Sequence, residues 1–297
     1  MIDAPVIQTR ALTKSYGRVE AVRSLDLVVA PGCITGFLGR NGAGKSTTIK
    51  MLLGMIRPTS GDGAVLGRRI TDPRENVELR RHVAYVSEDK RLYAYMTVEQ
   101  MLRFTASFYP DWRHDIAENL LREYELPRER KVRALSKGMR TKLALLLAFA
   151  RRPDLLILDE PGDGLDPFGI EQLLQSLVAI CAEGTAVFFS SHQIAEVERI
   201  SDRVAILERG RLILDLSLDD MRESYRQIDV VFPGLPAERD FQIAGIRRIR
   251  AAGHQWSVFA SGNADAIVDR ARDFHASSIQ VTPVGLREIF LEMAREN

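Results

Sequence analysis

The sequence predicts an α/β fold built on a parallel sheet. Three observations carry this: short, wholly apolar strands at 34–38, 155–158 and 186–189; a glycine-rich loop leading from the first of them into a helical run; and helical stretches between the others. Before this core, apolar and polar residues alternate along 6–12 and 25–29, the period of strands half-buried in an antiparallel sheet. The pairs Tyr16-Gly17 and Pro31-Gly32 close those strands with turns. Residues 97–126 are rich in helix formers and carry Met101, Phe104, Phe108, Ile116, Leu120 and Tyr124, so a helical insertion is expected over about 89–140. Past Leu214 the pattern changes again. Strands are expected at 228–232 and 256–260, then a helix at 264–274, another strand and a terminal helix bearing Leu286, Ile289, Phe290 and Met293. The chain therefore divides into a large domain, 1–214, and a small α/β domain, 215–297. No repeat of solenoid period and no low-complexity tract interrupts this order.

The 297 residues suffice for one large core and a second, smaller one. A composition of 45% hydrophobic and 27% charged residues excludes collagen-like, disordered and coiled-coil classes. With 41 Lys and Arg against 40 Asp and Glu, the formal charge is +1, so no global basic field calls for nucleic acid and none is expected as a partner. The two cysteines, Cys33 and Cys181, lie in apolar, strand-like stretches and read as buried, reduced thiols. The first residues lack a basic segment followed by an apolar run, and no secretory signal is expected. The longest apolar run, 143–150, is far short of the roughly 20 residues a spanning helix needs.

Residues 39–46, Gly39-Arg40-Asn41-Gly42-Ala43-Gly44-Lys45-Ser46, fit the phosphate-binding loop in full and stand between strand and helix, as that motif requires. Glycines at 39, 42 and 44 let successive backbone N–H groups turn toward one anion, and the helix N-terminus adds partial positive charge there. Lys45 reaches the β- and γ-phosphates, Ser46 places a hydroxyl on Mg²⁺, and Thr47 serves the α-phosphate side. A nucleoside triphosphate with its metal is the expected ligand, and a P-loop NTPase core the expected fold. Asp159 and Glu160 follow the apolar strand 155–158, where open α/β sheets present ligand-contacting groups. Asp159 is assigned to Mg²⁺ or its water, Glu160 to the attacking water as base or orienting group. Ser136 precedes the apolar helix 143–150 as its N-cap, and its hydroxyl with the free N–H groups there forms a second anion site.

These residues resemble the ATPase subunits of ATP-binding cassette (ABC) transporters, of the bacterial exporter-type branch. Residues 39–46 resemble that family's Walker A, 155–160 its Walker B with the catalytic glutamate, 135–140 its signature and 162–167 its D-loop. The resemblance, in motif order from about Val6 to Leu214, implies ATP as the ligand and an ABC ATPase core with an antiparallel β subdomain. It implies that Tyr16 stacks on adenine, that His192 contacts the γ-phosphate, and that Gly138 and Asp166 join Ser136 in contacting nucleotide across a dimer. It also implies a head-to-tail pair of ATPase subunits, identical or not, with ATP between the phosphate loop of one and the signature of the other. A transmembrane permease on a separate chain, with this protein peripheral on the cytoplasmic face of the membrane, completes the implied assembly; Arg91, Tyr93 and Tyr95 are expected in the groove that receives the permease.

Three positions depart from the family pattern. Glu88 stands where a metal-sensing glutamine is usual, and is assigned to Mg²⁺ through its water. Lys137 replaces the second glycine of the signature, with Met139-Arg140 where a glutamine begins. Asp163 replaces a small hydroxyl residue in the D-loop. Two rival functions use the same residues. A cassette ATPase acting on ribosomes or DNA would usually carry two cassettes or long coiled-coil insertions, which are absent here. An inactive regulatory module is opposed by Lys45, Glu160 and His192.

Overall fold

The computed structural model describes residues 4–234, 241 and 243–296. They fall into two compact units, Met1–Asp215 and Leu216–Asn297.

The first unit opens with β1 (Ile7–Tyr16), β2 (Val19–Leu25) and β3 (Val28–Val29), all antiparallel about β1. β4 (Ile34–Leu38) is buried at every residue and leads into α1 (Lys45–Leu52). β5 (Ser60–Val65) and β6 (Arg68–Arg69) return to the first sheet, whose order is β2-β1-β5-β6. Asp72 caps α2 (Pro73–His82) by accepting from the Arg74 amide, with Pro73 in the first turn where its missing N–H costs nothing. β7 (Val83–Val86) comes next.

The helical insertion comprises α3 (Val98–Ala106), α4 (His114–Glu123), a single 3₁₀ turn at Val132–Ala134 and the start of α5 (Lys137–Phe149). Thr97 and Gln100 form a reciprocal capping box on α3, satisfying two amides that the helix leaves free. Of the apolar residues that mark the insertion, Met101, Leu120 and Tyr124 are buried, whereas Phe104 and Phe108 lie exposed, Phe104 at the mouth of a cavity it lines with Ala144 and Leu147 of α5.

β8 (Leu155–Asp159), α6 (Pro167–Ala182), β9 (Ala186–Ser191), α7 (Ile194–Ile200), β10 (Arg203–Glu208) and β11 (Arg211–Ser217) complete the second sheet, ordered β11-β10-β4-β9-β8-β7. Its β10-β4-β9-β8-β7 pairs are all parallel. β4, β8 and β9 are covered on both faces, which is why they read as continuous apolar runs rather than alternating ones. Phe37 and Phe188 stack at 5.2 Å in the core below the strand ends. Cys181 lies on α6, not on a strand, and both cysteines are half-buried free thiols; burial pushes each thiol's pKa up.

The second unit holds α8 (Leu218–Ser224), β12 (Tyr225–Val231), β13 (Ile246–Ala252), β14 (Gln255–Ser261), α9 (Ala264–Asp273), β15 (Ser278–Pro283) and α10 (Leu286–Glu296). Its sheet is antiparallel, β13-β14-β12-β15. Ile228, Val230, Trp256 and Val258 from the strands meet Ile267 and Ala271 of α9 in a core of its own. Among the described residues, no helix is long and apolar enough to cross a membrane.

Candidate functional site

Register places the chemistry. Leu38 of β4 pairs with Ser191 of β9, Asp159 of β8 with Ser190 of β9, and Val86 of β7 with Leu158 of β8. Four parallel strands thus end side by side, and the segments leaving them are brought together: Gly39–Ser46 after β4, Glu88 after β7, Glu160 after β8 and His192 after β9. This is the carboxyl edge where open α/β sheets bind ligands.

Asn41, Gly42, Gly44, Lys45, Ser46, Thr47, Glu88 and Glu160 line one cleft of about 400 Å³, together with Ala21 and Arg40. Gly44, at φ +111°, caps α1, and a Cβ there would lie 2.3 Å from the Ala21 carbonyl oxygen, so only glycine fits this approach. The first amides of α1 have no carbonyl one turn earlier to accept them and open on the cleft. Ala43 is buried beneath the loop, its carbonyl accepting from the Gly210 amide. The Lys45 ammonium donates to the Gly39 carbonyl at 2.6 Å and lies 3.0 Å from Glu160 Oε1.

Glu160 is the focus of the contacts. Its other oxygen, Oε2, is 2.8 Å from His192 Nδ1 and accepts from the His192 amide at 3.3 Å. The Glu160 amide donates to Ser190 Oγ at 3.0 Å, and Ser190 Oγ–H donates to Asp159 Oδ1 at 2.7 Å, so one buried hydroxyl sets both acids. Glu160 has φ +48°, a left-handed conformation uncommon outside glycine; the surrounding bonds hold it there. Asp159 is buried just behind the cleft.

Sequence reasoning missed Lys90. This lysine is 7% exposed, sits at φ +44°, and donates to the Glu160 carbonyl at 3.3 Å. Burial lowers its pKa, with the nearby Lys137 charge acting the same way, while Asp163, Glu88 and Asp159 oppose the shift. Nothing in its local sequence signals this, because its partner is 70 residues away. Glu196 of α7 was also missed. Its buried carboxyl accepts from Ser191 Oγ at 2.9 Å, and burial raises its pKa.

The remaining predicted residues gather elsewhere. Ser136, Gly138 and Asp166 line a second cleft of about 470 Å³ with Lys137, Met139, Gly164 and Leu165. Ser136 Oγ caps α5 by accepting from the Met139 amide, and Asp166 caps α6 through the Gly169 amide at 2.7 Å. The two clefts share no lining residue. Tyr16 lines neither; it ends β1, its ring half exposed with the Lys14 ammonium 5.1 Å from the centroid.

The family described as "ABC transporter" matches residues 22–163. The bacitracin transport ATP-binding protein BcrA of Bacillus licheniformis is 36% identical over 225 residues, 75% of this chain and 73% of that protein. The chain belongs to the ABC transporter ATP-binding protein family. An uncharacterized member from Synechocystis sp. is 30% identical over 311 residues, covering 99% of this chain and 86% of its own. The daunorubicin/doxorubicin resistance ATP-binding protein DrrA of Streptomyces peucetius is 35% identical over 222 residues, 73% of this chain and 67% of that one. A solved ATP-binding subunit of an ABC transporter superposes with a TM-score of 0.66 at 35% identity, covering 73% of this chain and 92% of that chain. As an ABC ATPase, this subunit binds ATP and hydrolyses it. The donor set around its cleft is a hydroxyl and carboxylates, hard oxygen ligands. No cluster of three or more His, Cys, Asp or Glu side chains forms a metal cage among the described residues. Such a set fits Mg²⁺, which takes one or two carboxylates and completes its shell from phosphates and water.

Proposed function

We propose that this ABC ATPase powers export through a transmembrane subunit on a separate chain, by closing and opening a head-to-tail dimer around two ATP molecules. The observation that supports this is the separation of the two clefts. The phosphate loop, Glu160 and Glu88 line one, and Ser136, Gly138 and Asp166 line the other. A nucleotide held by the first cleft of one copy is then completed by the second cleft of another.

In this reading the amides of Gly42 and of 44–47, with the Lys45 ammonium, hold the β- and γ-phosphates, while the Ala43 amide is spent on the Arg40 carbonyl at 3.0 Å. Ser46, Asp159 and Glu88 would hold Mg²⁺, directly or through water, and the ion would supply neutralisation of the charge that develops on the phosphates. Glu160 takes or orients the proton of the attacking water, and His192 fixes the carboxylate's rotamer through Nδ1 while facing the γ-phosphate. Ser136 and the first amides of α5 supply charge-complementary contacts only once the dimer closes, so loss of the γ-phosphate releases them. Tyr16 presents its open ring face to adenine. The exposed chain of rings Tyr95, Tyr93, Phe104 and Phe108, with neighbouring centroids 5.0–5.9 Å apart, is assigned with Arg91 to the surface that receives the membrane subunit. Export is favoured because two of the relatives are named for bacitracin transport and for drug resistance.

Complementation tests the composite site. Lys45→Ala spoils the first cleft and Ser136→Arg the second, so each variant alone is inactive. A mixture forms dimers with one intact site, recovering up to about a quarter of parental ATPase activity if subunits pair at random. No recovery on mixing sinks the head-to-tail reading. Co-purification of a membrane polypeptide from solubilised membranes tests the partner.

A further inference from the structure

The Lys137 ammonium lies 2.8 Å from Asp163 Oδ2, joining the first turn of α5 to a loop 26 residues further along the chain. The contact is built from both sides. The stem of Lys137 lies across Gly164, at φ +84°, where a Cβ would meet its Cγ, Cδ and Cε at 2.7–2.9 Å. Thr141 Oγ1 approaches both the Lys137 and the Asp163 carbonyls, at 3.2 and 3.4 Å. A Cβ on Gly138 would come within 3.0 Å of the Gly164 carbonyl, so the loop rests on the first turn of α5. The Asp163 amide in turn donates to the Glu160 carbonyl at 3.2 Å, the same oxygen that accepts from Lys90. An unbroken path of bonds therefore runs from the helix capped by Ser136 to the backbone of Glu160.

We propose that Lys137 and Asp163 are matched positioning residues that strap the loop carrying Glu160 to the start of α5, so that the Ser136 cap and the Glu160 carboxylate of one chain shift as a single body. The inference rests on the composite-site reading above, in which those two groups serve different ATP molecules. Its consequence is coupling: engagement of the cap at one site moves the water-activating group of the other. Both side chains are substantially exposed, and an exposed pair adds little to folding stability. What it sets is the angle at which the loop leaves β8. The hydrogen bond from Lys137 holds the Asp163 carboxyl below its ordinary range, so that carboxyl stays ionised at neutral pH.

The test is a charge exchange in the full chain. Lys137→Asp and Asp163→Lys each lower kcat by about fivefold or more, while the affinity of the unpaired chain for MgATP, read with a fluorescent ATP analogue, stays at the parental value. The combined Lys137→Asp/Asp163→Lys chain regains most of the lost kcat. A kcat unchanged in the single variants, or an exchange no faster than the slower single, overturns the strap. If a reversal does not fold, Lys137→Gln and Asp163→Asn replace it. Each then lowers kcat and their combination is no worse than either alone, whereas fully additive losses overturn the proposal. Parental protein that lacked MgATP affinity would overturn the composite-site reading along with the strap; parental binding with indifferent variants overturns the strap alone.

Discussion

Glu160 and His192, 32 residues apart in the chain, meet through a 2.8 Å hydrogen bond between Oε2 and Nδ1. The other carboxylate oxygen lies 3.0 Å from the Lys45 ammonium. One carboxylate is thus clamped between an imidazole and a cation, with its amide fixed by Ser190. These contacts hold the group in one orientation, which is what the water-activating role proposed for it requires.

Glu160→Gln keeps the size of the side chain and a partner for His192 but cannot accept a proton. Hydrolysis should fall by roughly 10²-fold or more, since that is the contribution of a placed base. ATP binding persists, so the variant should accumulate as a dimer with MgATP. Gel filtration showing only monomer at saturating MgATP would contradict the mechanism.

Lys45→Ala removes the ammonium that is buried against the phosphate loop. Charge-assisted bonds to phosphate are lost while the amides remain, and affinity for MgATP should drop by at least about tenfold. Titration with a fluorescent ATP analogue checks this; parental affinity in the variant would show that the loop binds by amides alone.

Much of this site was legible in the sequence, because its parts are local. A phosphate loop needs its glycines and lysine within eight residues, and an acid pair ending an apolar strand declares the edge of a parallel sheet. What was not legible depends on contacts made across the sheet. Ser190 stands two residues before His192 in the chain, yet its role comes from the end of β8, where it bonds Asp159 and the following Glu160 at once. Lys90 reads as one more charge in a polar loop until β7 and β8 pair and bring the Glu160 carbonyl over it. Lys137 and Asp163 each look like an isolated departure from the family pattern, and only packing of the loop on α5 makes them partners. Cys181 failed in the opposite sense: the apolar stretch around it belongs to α6, since an apolar run between glycines does not by itself distinguish a buried helix from a strand.

Ser190→Ala tests the contact that the sequence did not disclose. The fully buried hydroxyl bonds both the Glu160 amide and Asp159 Oδ1, and its removal leaves both without this partner. A loss of about 1–3 kcal/mol in denaturant unfolding is expected. Magnesium-dependent ATPase activity should fall further than stability explains, because Asp159 is freed to rotate. A variant as stable and as active as the parent would remove Ser190 from the site.

Glu196 gives a pH signature. Burial, reinforced by the neighbouring Glu160 charge, raises its folded-state pKa above the ordinary 4.5. The folded protein therefore keeps this proton over a range where the unfolded chain has lost it, and stability drains away as pH climbs through the shifted value. Glu196→Gln keeps the neutral shape and has nothing to ionise. Its melting temperature should match the parent below the ordinary carboxylate range and exceed it at neutral pH. Parallel curves across the whole range would refute a raised pKa.

The second unit can be judged alone, because its core is its own. Trp256 is 3% exposed, with Phe232 and Phe241 each 5.3 Å away between ring centroids. Phe274, just past α9, extends the cluster from Phe241 at 5.4 Å. The chain has two tryptophans, and Trp256 is the one within 216–297, so a segment of those residues reports on this core without interference. Folded, it should show blue-shifted emission that moves to longer wavelength in a single cooperative step with denaturant. At 0.05–0.15 kcal/mol per residue, a unit of this size has only about 4–12 kcal/mol of stability. Deleting a buried indole costs about 3–5 kcal/mol. Trp256→Ala should therefore bring the segment close to the unfolded state at room temperature, as seen by circular dichroism, whereas Trp256→Phe keeps the ring cluster and the cooperative transition. Emission from the unmodified segment that already matched the denatured chain would show that these residues build no core without the rest of the protein.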